Sequence, residues 1–412
     1  MVWHRESRLF KGVATTLMLG VFLIAPIVSR LPVLADEGSG LEVMVWNSWS
    51  AFLHWNAPPE VARIKILRDG RLLEDLGFAG GSTLFYRDYL LWPSTSYAYE
   101  VIAFDSQSQM VSDNTATVQT RGQSGAFPTL YDPASFWNQP IPAGAVADPD
   151  SAAMVAASLS PYGGSGNLTN SNEWGYPVAY ANDFSSTYSV GCTVYDCATP
   201  VSFHIPRYAT PTTASDHHLI VLEPRMNREL DMWMGAYDAS ADSWSAGSRY
   251  IAASNGWGAQ CSLGQRCNGA VAAGFAAFGG VVRPEEIAQG HIDHALVFAT
   301  PYTRAGDVAC PATHTDGATN DPAALPEGAR IQLDPSFDVD AQAWPAWEKV
   351  IGHALQMYGA YLGDTGGSLG FSAEPNLDRG YDAWSLAGVP ATAPSLANLP
   401  WSGFRVLQLQ PC

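Results

Sequence analysis

From Leu41 onward, apolar and polar residues alternate in short runs broken by Gly, Pro, Asn and Asp. This period of two marks half-buried strands. Ala51-Phe52-Leu53-His54-Trp55 is one such run. Ile64-Lys65-Ile66-Leu67-Arg68 is another, closed by Asp69-Gly70, a strong hairpin signal. Further strands are expected over 201–205, 216–222, 229–234, 291–298 and 330–334. One stretch has the helical period instead. Trp347, Val350, Ile351, Ala354, Leu355, Tyr358, Tyr361 and Leu362 share one apolar face, which predicts a helix from Pro345 to Leu362. Pro284 to Gly290 predicts a short helix with Pro at its first turn, acids near its positive end and Gly at its exit. The small-residue run Ala270 to Gly280 supports no assignment. The fold class is mainly β: a first sandwich, then a larger β-sandwich or jelly-roll-like domain with one amphipathic helix near the C-terminus.

Candidate chemistry concentrates between Ser215 and Trp233. Along the second strand there, Leu230, Met232 and Met234 point one way while Glu229, Asp231 and Trp233 point the other. Two carboxylates and an indole over an apolar face suit a sugar-binding cleft, although a solvent-facing strand carries the same pattern. Glycosidases need two carboxyl groups about 5–5.5 Å or 6.5–9.5 Å apart. Same-face strand neighbours can reach either distance, so Glu229 and Asp231 are the first catalytic candidates. Glu223, Asp293 and Asp316 are the alternatives for a partner.

Five of the nine histidines, His217, His218, His291, His294 and His314, lie beside Asp216, Asp293 and Asp316. A His-Asp pair can orient a general base, which puts His218 and His294 among the catalytic candidates. A histidine satisfied within the core is the competing reading of His294, which shares the face of Ile292, Leu296 and Phe298. No zinc motif of the H-E-x-x-H type, G-x-S-x-G serine elbow or phosphate-binding loop is present. Neither a metal nor a cofactor is expected. Trp137, Asn138, Trp233 and Trp257 are expected to bind substrate, and Trp174 and Trp244 are further aromatics of interest. Indole faces stack on sugar C–H groups, although most Trp serve the core.

Composition sets the compartment. Arg5, Arg8 and Lys11 precede an apolar run from Gly12 to Val28, and Val33-Leu34-Ala35 ends in a small residue. This predicts an export leader over 1–35, with an uncleaved anchor as the rival reading, and a secreted, extracellular protein. The net charge of −18 argues against nucleic acid and anionic membrane as partners. All six cysteines lie beyond the leader, and disulfides follow from export. Cys192 with Cys197 and Cys261 with Cys267 would close short loops, leaving Cys310 for Cys412. Zinc fits poorly, because no His lies near those pairs in sequence.

Trp55, Asp69-Gly70, the run from Leu91 to Tyr97 (LWPSTSY), and Val101, Ala103 and Asp105 resemble a fibronectin type III domain. That resemblance implies a seven-stranded sandwich over 41–120, with Tyr97 as its tyrosine corner. A linker over 121–126 and a carbohydrate-active domain over 127–412 would follow. From Phe136 onward, SFWNQPIP, RPEEIAQGHIDHALVF, PATHTDG, LPEGARIQLDP and ALQMYGAYLGDTGG resemble a recurrent domain of secreted bacterial proteins, which transfers no catalytic residues. Glu229-Leu230-Asp231 is similar to the first half of the E-x-D-x-E motif of laminarinase-type glycosidases, with Trp233 standing where the acid/base Glu belongs. The expected function is a secreted polysaccharide-degrading glycoside hydrolase with paired carboxylates and an extracellular polysaccharide as partner. A polysaccharide lyase with a histidine base, or a non-catalytic carbohydrate-binding or adhesion protein, is the alternative.

Overall fold

Asp69 and Gly70 both adopt positive φ, 50° and 77°, and turn the strand Arg63–Arg68 tightly into Arg71–Gly77. The computed structural model describes residues 40–124, 127–195, 197, 199–259, 270–390 and 392–411. The described residues belong to one compact unit, and the fold is mainly β. The expected leader lies outside the described residues. Among those described, no helix is long and apolar enough to cross a membrane.

The first seven strands form two sheets face to face. Leu41–Asn47, Ser50–Asn56 and Thr83–Asp88 make one. Arg71–Gly77, Arg63–Arg68, Ser96–Phe104 and Met110–Gln119 make the other. Trp55, Tyr97, Tyr99, Ile64 and Ile66 fill the space between them. The Tyr97 hydroxyl accepts the Trp92 backbone N–H at 2.7 Å, the corner bond expected of that residue.

The remaining strands build a layered body. Leu219–Glu223 and Arg228–Trp233 pair antiparallel within a four-stranded sheet that also holds Ser248–Ala253 and Val178–Tyr180. A second four-stranded sheet contains Val201–His204, Thr187–Cys192, Ser243–Ala246 and Ala236–Asp238. Leu219, Val221, Leu230 and Met232 from the first sheet meet Val190, Phe203 and Trp244 from the second in one core. The opposite face of the first sheet meets Phe275, Phe278, Val297 and Tyr361. Val297 and Tyr361 belong to a six-stranded mixed sheet centred on Leu296–Thr300 and Ala360–Thr365. That sheet's far face packs on Met154, Val155, Trp347, Val350, Ile351 and Leu355, carried by the helices Ser151–Ser158 and Ala346–Met357.

Three expectations need adjustment. The C-terminal helix stops at Met357 rather than Leu362, because Gly359 takes φ 67° and Ala360–Thr365 continues as a strand. Tyr361 and Leu362 fitted the helical period only by their spacing. The strand expected from His291 begins at Leu296. Residues 121–124 are not a free linker: Ser94 N–H donates to Arg121 O and Ser48 Oγ to Gly122 O.

The first sandwich is packed against the rest rather than strung from it. Arg68 pairs with Asp88 at 2.9 Å and donates to the Arg379 carbonyl at 2.6 Å. Arg379 is itself fully buried between Glu285 and Glu374. Ser185 Oγ donates to the buried Glu74, and Phe184 and Tyr208 pack on the sandwich core.

Candidate functional site

The leading sequence candidates, Glu229 and Asp231, lie on the face opposite Leu230 and Met232, as alternation predicts, but that face is also interior. Both side chains have zero exposure. Glu229 accepts the Phe278 N–H at 3.0 Å and the Tyr131 hydroxyl at 2.8 Å, and Asp231 accepts the Ala277 N–H at 2.9 Å. The small-residue run 270–280 lets its backbone approach closely enough to donate these bonds. Burial raises the Glu229 pKa, with Asp231, Phe278 and Tyr131 opposing by hydrogen bonds. The pair lines no open cleft among the described residues, which corrects the expectation that it faces open space.

Several other expected site residues are also interior. His294 Nε2 meets Glu286 at 3.0 Å and its Nδ1 meets the Ala295 carbonyl at 2.9 Å. Burial opposes the Glu286 charge, yet Arg283 and His294 hold its pKa down at about 2. Trp137 is buried and donates to Gly258 O, while Asn138 Nδ2 donates to Leu130 O and Asp132 O. Trp244 is core, and Glu223 is buried with His204 and Arg228. His217 is tied to the Thr212 carbonyl. His291 and Asp293 pair at the surface, 2.9 Å apart, away from the cleft described next. Trp257 is exposed and packs edge-on to Phe136.

Other candidates converge where strands end. Asp216, His218, Val271, Asp364 and Thr365 form a floor shared by two contiguous clefts of about 560 and 500 Å³. Trp233 and Tyr195 wall one side, stacked with centroids 5.8 Å apart, beside His314 and Asp316. Trp174 and Tyr176 wall the other, beside the Gly366-Gly367 turn. Asp216 immediately precedes the left-handed residue His217 (φ 40°), and its Oδ1 meets Trp233 Nε1 at 3.3 Å. Tyr195 sits in the loop closed by the Cys192–Cys197 disulfide, one of the expected pairings. Cys310 is disulfide-bonded too; Cys261, Cys267 and Cys412 lie outside the described residues. The loop bearing His314 and Asp316 is pinned by Thr313 N–H to Ala273 O, 2.9 Å. Gly274, at φ 76°, makes room for it, since a Cβ there would sit 2.1 Å from Thr313 Oγ1.

Acids crowd this floor. Asp316, Asp364 and the buried Glu327 bring carboxylate oxygens within 4.8 Å of one another. Asp364 is pushed up to about 8 by burial first, then by Asp316 and Asp216. Glu327 is pushed up to about 11 by burial first, then by Asp316 and Asp364. The Asp316 main-chain N–H leans toward Glu327 without closing a hydrogen bond of ordinary geometry. His218 is brought down to about 4 by burial, with Asp216 and a bond to the Met232 carbonyl opposing. Its ring stacks on Tyr176 at 4.5 Å. At neutral pH the floor therefore holds an uncharged imidazole among carboxyl groups.

Of the residues named from sequence, the cleft retains His218, Trp233, Asp216, His314, Asp316 and Trp174. Sequence reasoning missed Asp364, Thr365 and Glu327. Asp364 had a signal, because an acid at a strand end followed by Thr-Gly-Gly suits a cleft rim. Glu327, in Leu-Pro-Glu-Gly, had none.

No family profile and no curated protein matches the chain. Among solved structures, it is similar over 22% of its length to the sixth fibronectin type III domain of human fibronectin type III domain containing protein 3. That match covers 89% of the human domain, with 18% identity and a TM-score of 0.18. Fibronectin(III)-like modules of Clostridium thermocellum CbhA match over 20% of the chain and 88% of theirs, with 17% identity and a TM-score of 0.16. A family 28 exopolygalacturonase of Yersinia enterocolitica matches over 27% of the chain and 23% of its own, with 17% identity and a TM-score of 0.18. At such scores the likenesses carry no argument about activity; the chain has weak structural neighbours among fibronectin type III domains.

Proposed function

We propose that this is a secreted protein that hydrolyses a polysaccharide lying along the double cleft, with Asp216 and Asp364 in place of the buried Glu229 and Asp231. One observation carries the reading. Two half-buried carboxylates stand on a floor shared by two clefts, between the aromatic walls Trp233/Tyr195 and Trp174/Tyr176. Aromatic faces at both ends suit the C–H faces of successive sugars, and carboxylates between them suit work on the linkage. In this reading Asp216 takes a proton from attacking water; among the described residues, Trp233 Nε1 and Ser215 Oγ are the hydrogen-bond donors to its Oδ1.

A reducing-end assay on a panel of polysaccharides tests this, with Asp216→Asn as the control variant. Release of reducing ends by the parent and not by the variant is expected; a parent inert on every polysaccharide overturns it. A second reading, β-elimination, draws on the uncharged His218 beside Asp216. There the imidazole would take the proton α to a uronate carboxyl as the C–O bond breaks and a C=C bond forms. It stands second because Tyr176 and the surrounding core cover nearly all of that ring. Ultraviolet absorbance of an unsaturated product separates the two.

A further inference from the structure

We infer that Asp316, Glu327 and Asp364 form a site for a hard divalent cation, with calcium the best fit, open on one side to the cleft. Three observations point there independently. Carboxylate oxygens about 2.4 Å from one cation lie at most ~4.8 Å apart, and these three groups meet that limit. Glu327 has zero exposure, and neither of its oxygens closes a hydrogen bond of ordinary geometry among the described residues; the polar groups that approach it are the carboxyl and main-chain N–H of Asp316, another member of the cluster. A buried carboxylate with no donor is costly, so such groups are ordinarily paired or bound to metal. Nor does an Arg or Lys form an ion pair with any of the three among the described residues, whereas several other buried acids do have one. Arg379 serves Glu285 and Glu374, Arg283 serves Glu286, and Arg68 serves Asp88.

Local structure holds the three donors together. Gly328, at φ 86°, returns the chain after Glu327, and its N–H donates to Leu362 O in the strand Ala360–Thr365 that carries Asp364. A Cβ at Gly328 would sit 1.8 Å from Ala309 O. Thr365 Oγ1 donates to Asp316 Oδ1 at 2.6 Å, which fixes that carboxylate's angle. An all-oxygen donor set favours calcium or magnesium over softer metals. Calcium takes about 6–8 oxygens, so three carboxylates leave positions unfilled. Asp316 is exposed to the cleft, and those positions face it. Water or sugar hydroxyls would complete the shell there. Completion of the shell by sugar hydroxyls rests on the polysaccharide reading; with the cation bound, Asp364 acts on the substrate through the cation rather than by proton transfer, and Asp216 is the carboxylate that accepts the proton.

The test is calorimetric titration of chelator-stripped protein with calcium chloride, and separately with magnesium and manganese chloride, with no sugar present. Saturable calcium binding is expected, with Kd on the order of 10⁻⁴ M or tighter. Asp316→Asn, at an exposed position, and Glu327→Gln should each weaken it by at least roughly tenfold. No saturable binding of any of the three cations at millimolar concentration overturns the inference, as does binding undiminished in Asp316→Asn. Cation binding without cleavage of any polysaccharide sinks the hydrolase reading and leaves the site standing. Cleavage by a protein that binds no cation does the reverse.

Discussion

Glu229 and Asp231 differ from the acids of the cleft in what surrounds them rather than in burial alone. Glu229 and Glu327 are equally inaccessible. Glu229 receives a backbone N–H and a tyrosine hydroxyl, so its polar atoms are satisfied by protein. Among the described residues Glu327 closes neither kind of bond in ordinary geometry, and Asp316 and Asp364 stand beside it. A carboxylate supplied with fixed donors is a fastening between layers. One without donors among the described residues, grouped with other acids at a cleft, is the pattern on which the proposed cation site rests. The same residue type thus marks structure in one place and, in the proposed reading, chemistry in the other.

The largest expected effect tests the chemical half of that contrast. Asp216→Asn should cost roughly 10²–10⁴-fold in turnover with little change in melting temperature. Asp231→Asn, which keeps an oxygen for the Ala277 N–H, should leave turnover near that of the parent. If Asp231→Asn proves inactive at unchanged stability, the contrast between the two regions is lost.

Glu229→Ala tests the structural half by thermal unfolding. It strands the Phe278 N–H and the Tyr131 hydroxyl in the interior. At about 1–3 kcal/mol for each buried group left unsatisfied, a loss on the order of 3 kcal/mol is expected. Cation affinity should not move. A melting temperature equal to the parent's would show that the fastening contributes little.

Glu74 is an intermediate case, with the Ser185 hydroxyl as a donor at the seam between the first sandwich and the rest. Burial pushes its pKa up to about 8, against a usual value of 4.5, with Ser185 and the Arg207 backbone opposing. The folded state therefore holds a proton that the unfolded state releases. That contribution to stability is complete below about pH 4.5 and is lost as pH rises through about 8. Asp378, pushed up to about 8 mainly by burial, acts in the same direction. Urea unfolding at pH 6 and pH 9 should show a loss of up to a few kcal/mol, partly abolished in Glu74→Gln. An identical pH slope in that variant would sink the assignment.

The smallest effect concerns the aromatic walls. Trp174→Ala should raise KM by up to roughly tenfold with kcat nearly unchanged, because aromatic stacking is worth about 0.5–1.5 kcal/mol. Trp257→Ala, away from the cleft, should change neither.

Much of the fold was legible because its signals are local. The Asp69-Gly70 turn, the Tyr97 corner and the apolar stripe from Trp347 to Leu355 each depend on a few neighbouring residues. Alternation likewise placed Glu229 and Asp231 opposite Leu230 correctly. It could not say that both faces of that strand would be covered, since the cover comes from residues 275–278, more than forty positions away. The C-terminal helix was overextended for a related reason: Tyr361 and Leu362 are apolar whether the chain continues as helix or turns at Gly359 into a strand.

What the sequence determined by itself was the class of the fold and the faces of its elements, because periodicity and turn chemistry act over a few residues. It also named His218, Trp233, Asp216 and Asp316, since histidines, indoles and acids near strand ends are conspicuous in any chain. Tertiary structure alone decided which acids are fastened and which are not. Asp216, Asp316, Glu327 and Asp364 are spread across almost 150 positions and meet only through the stacking of separate sheets. The donors that silence Glu229, and their absence at Glu327 among the described residues, come from loops whose position follows from the packing of the whole molecule.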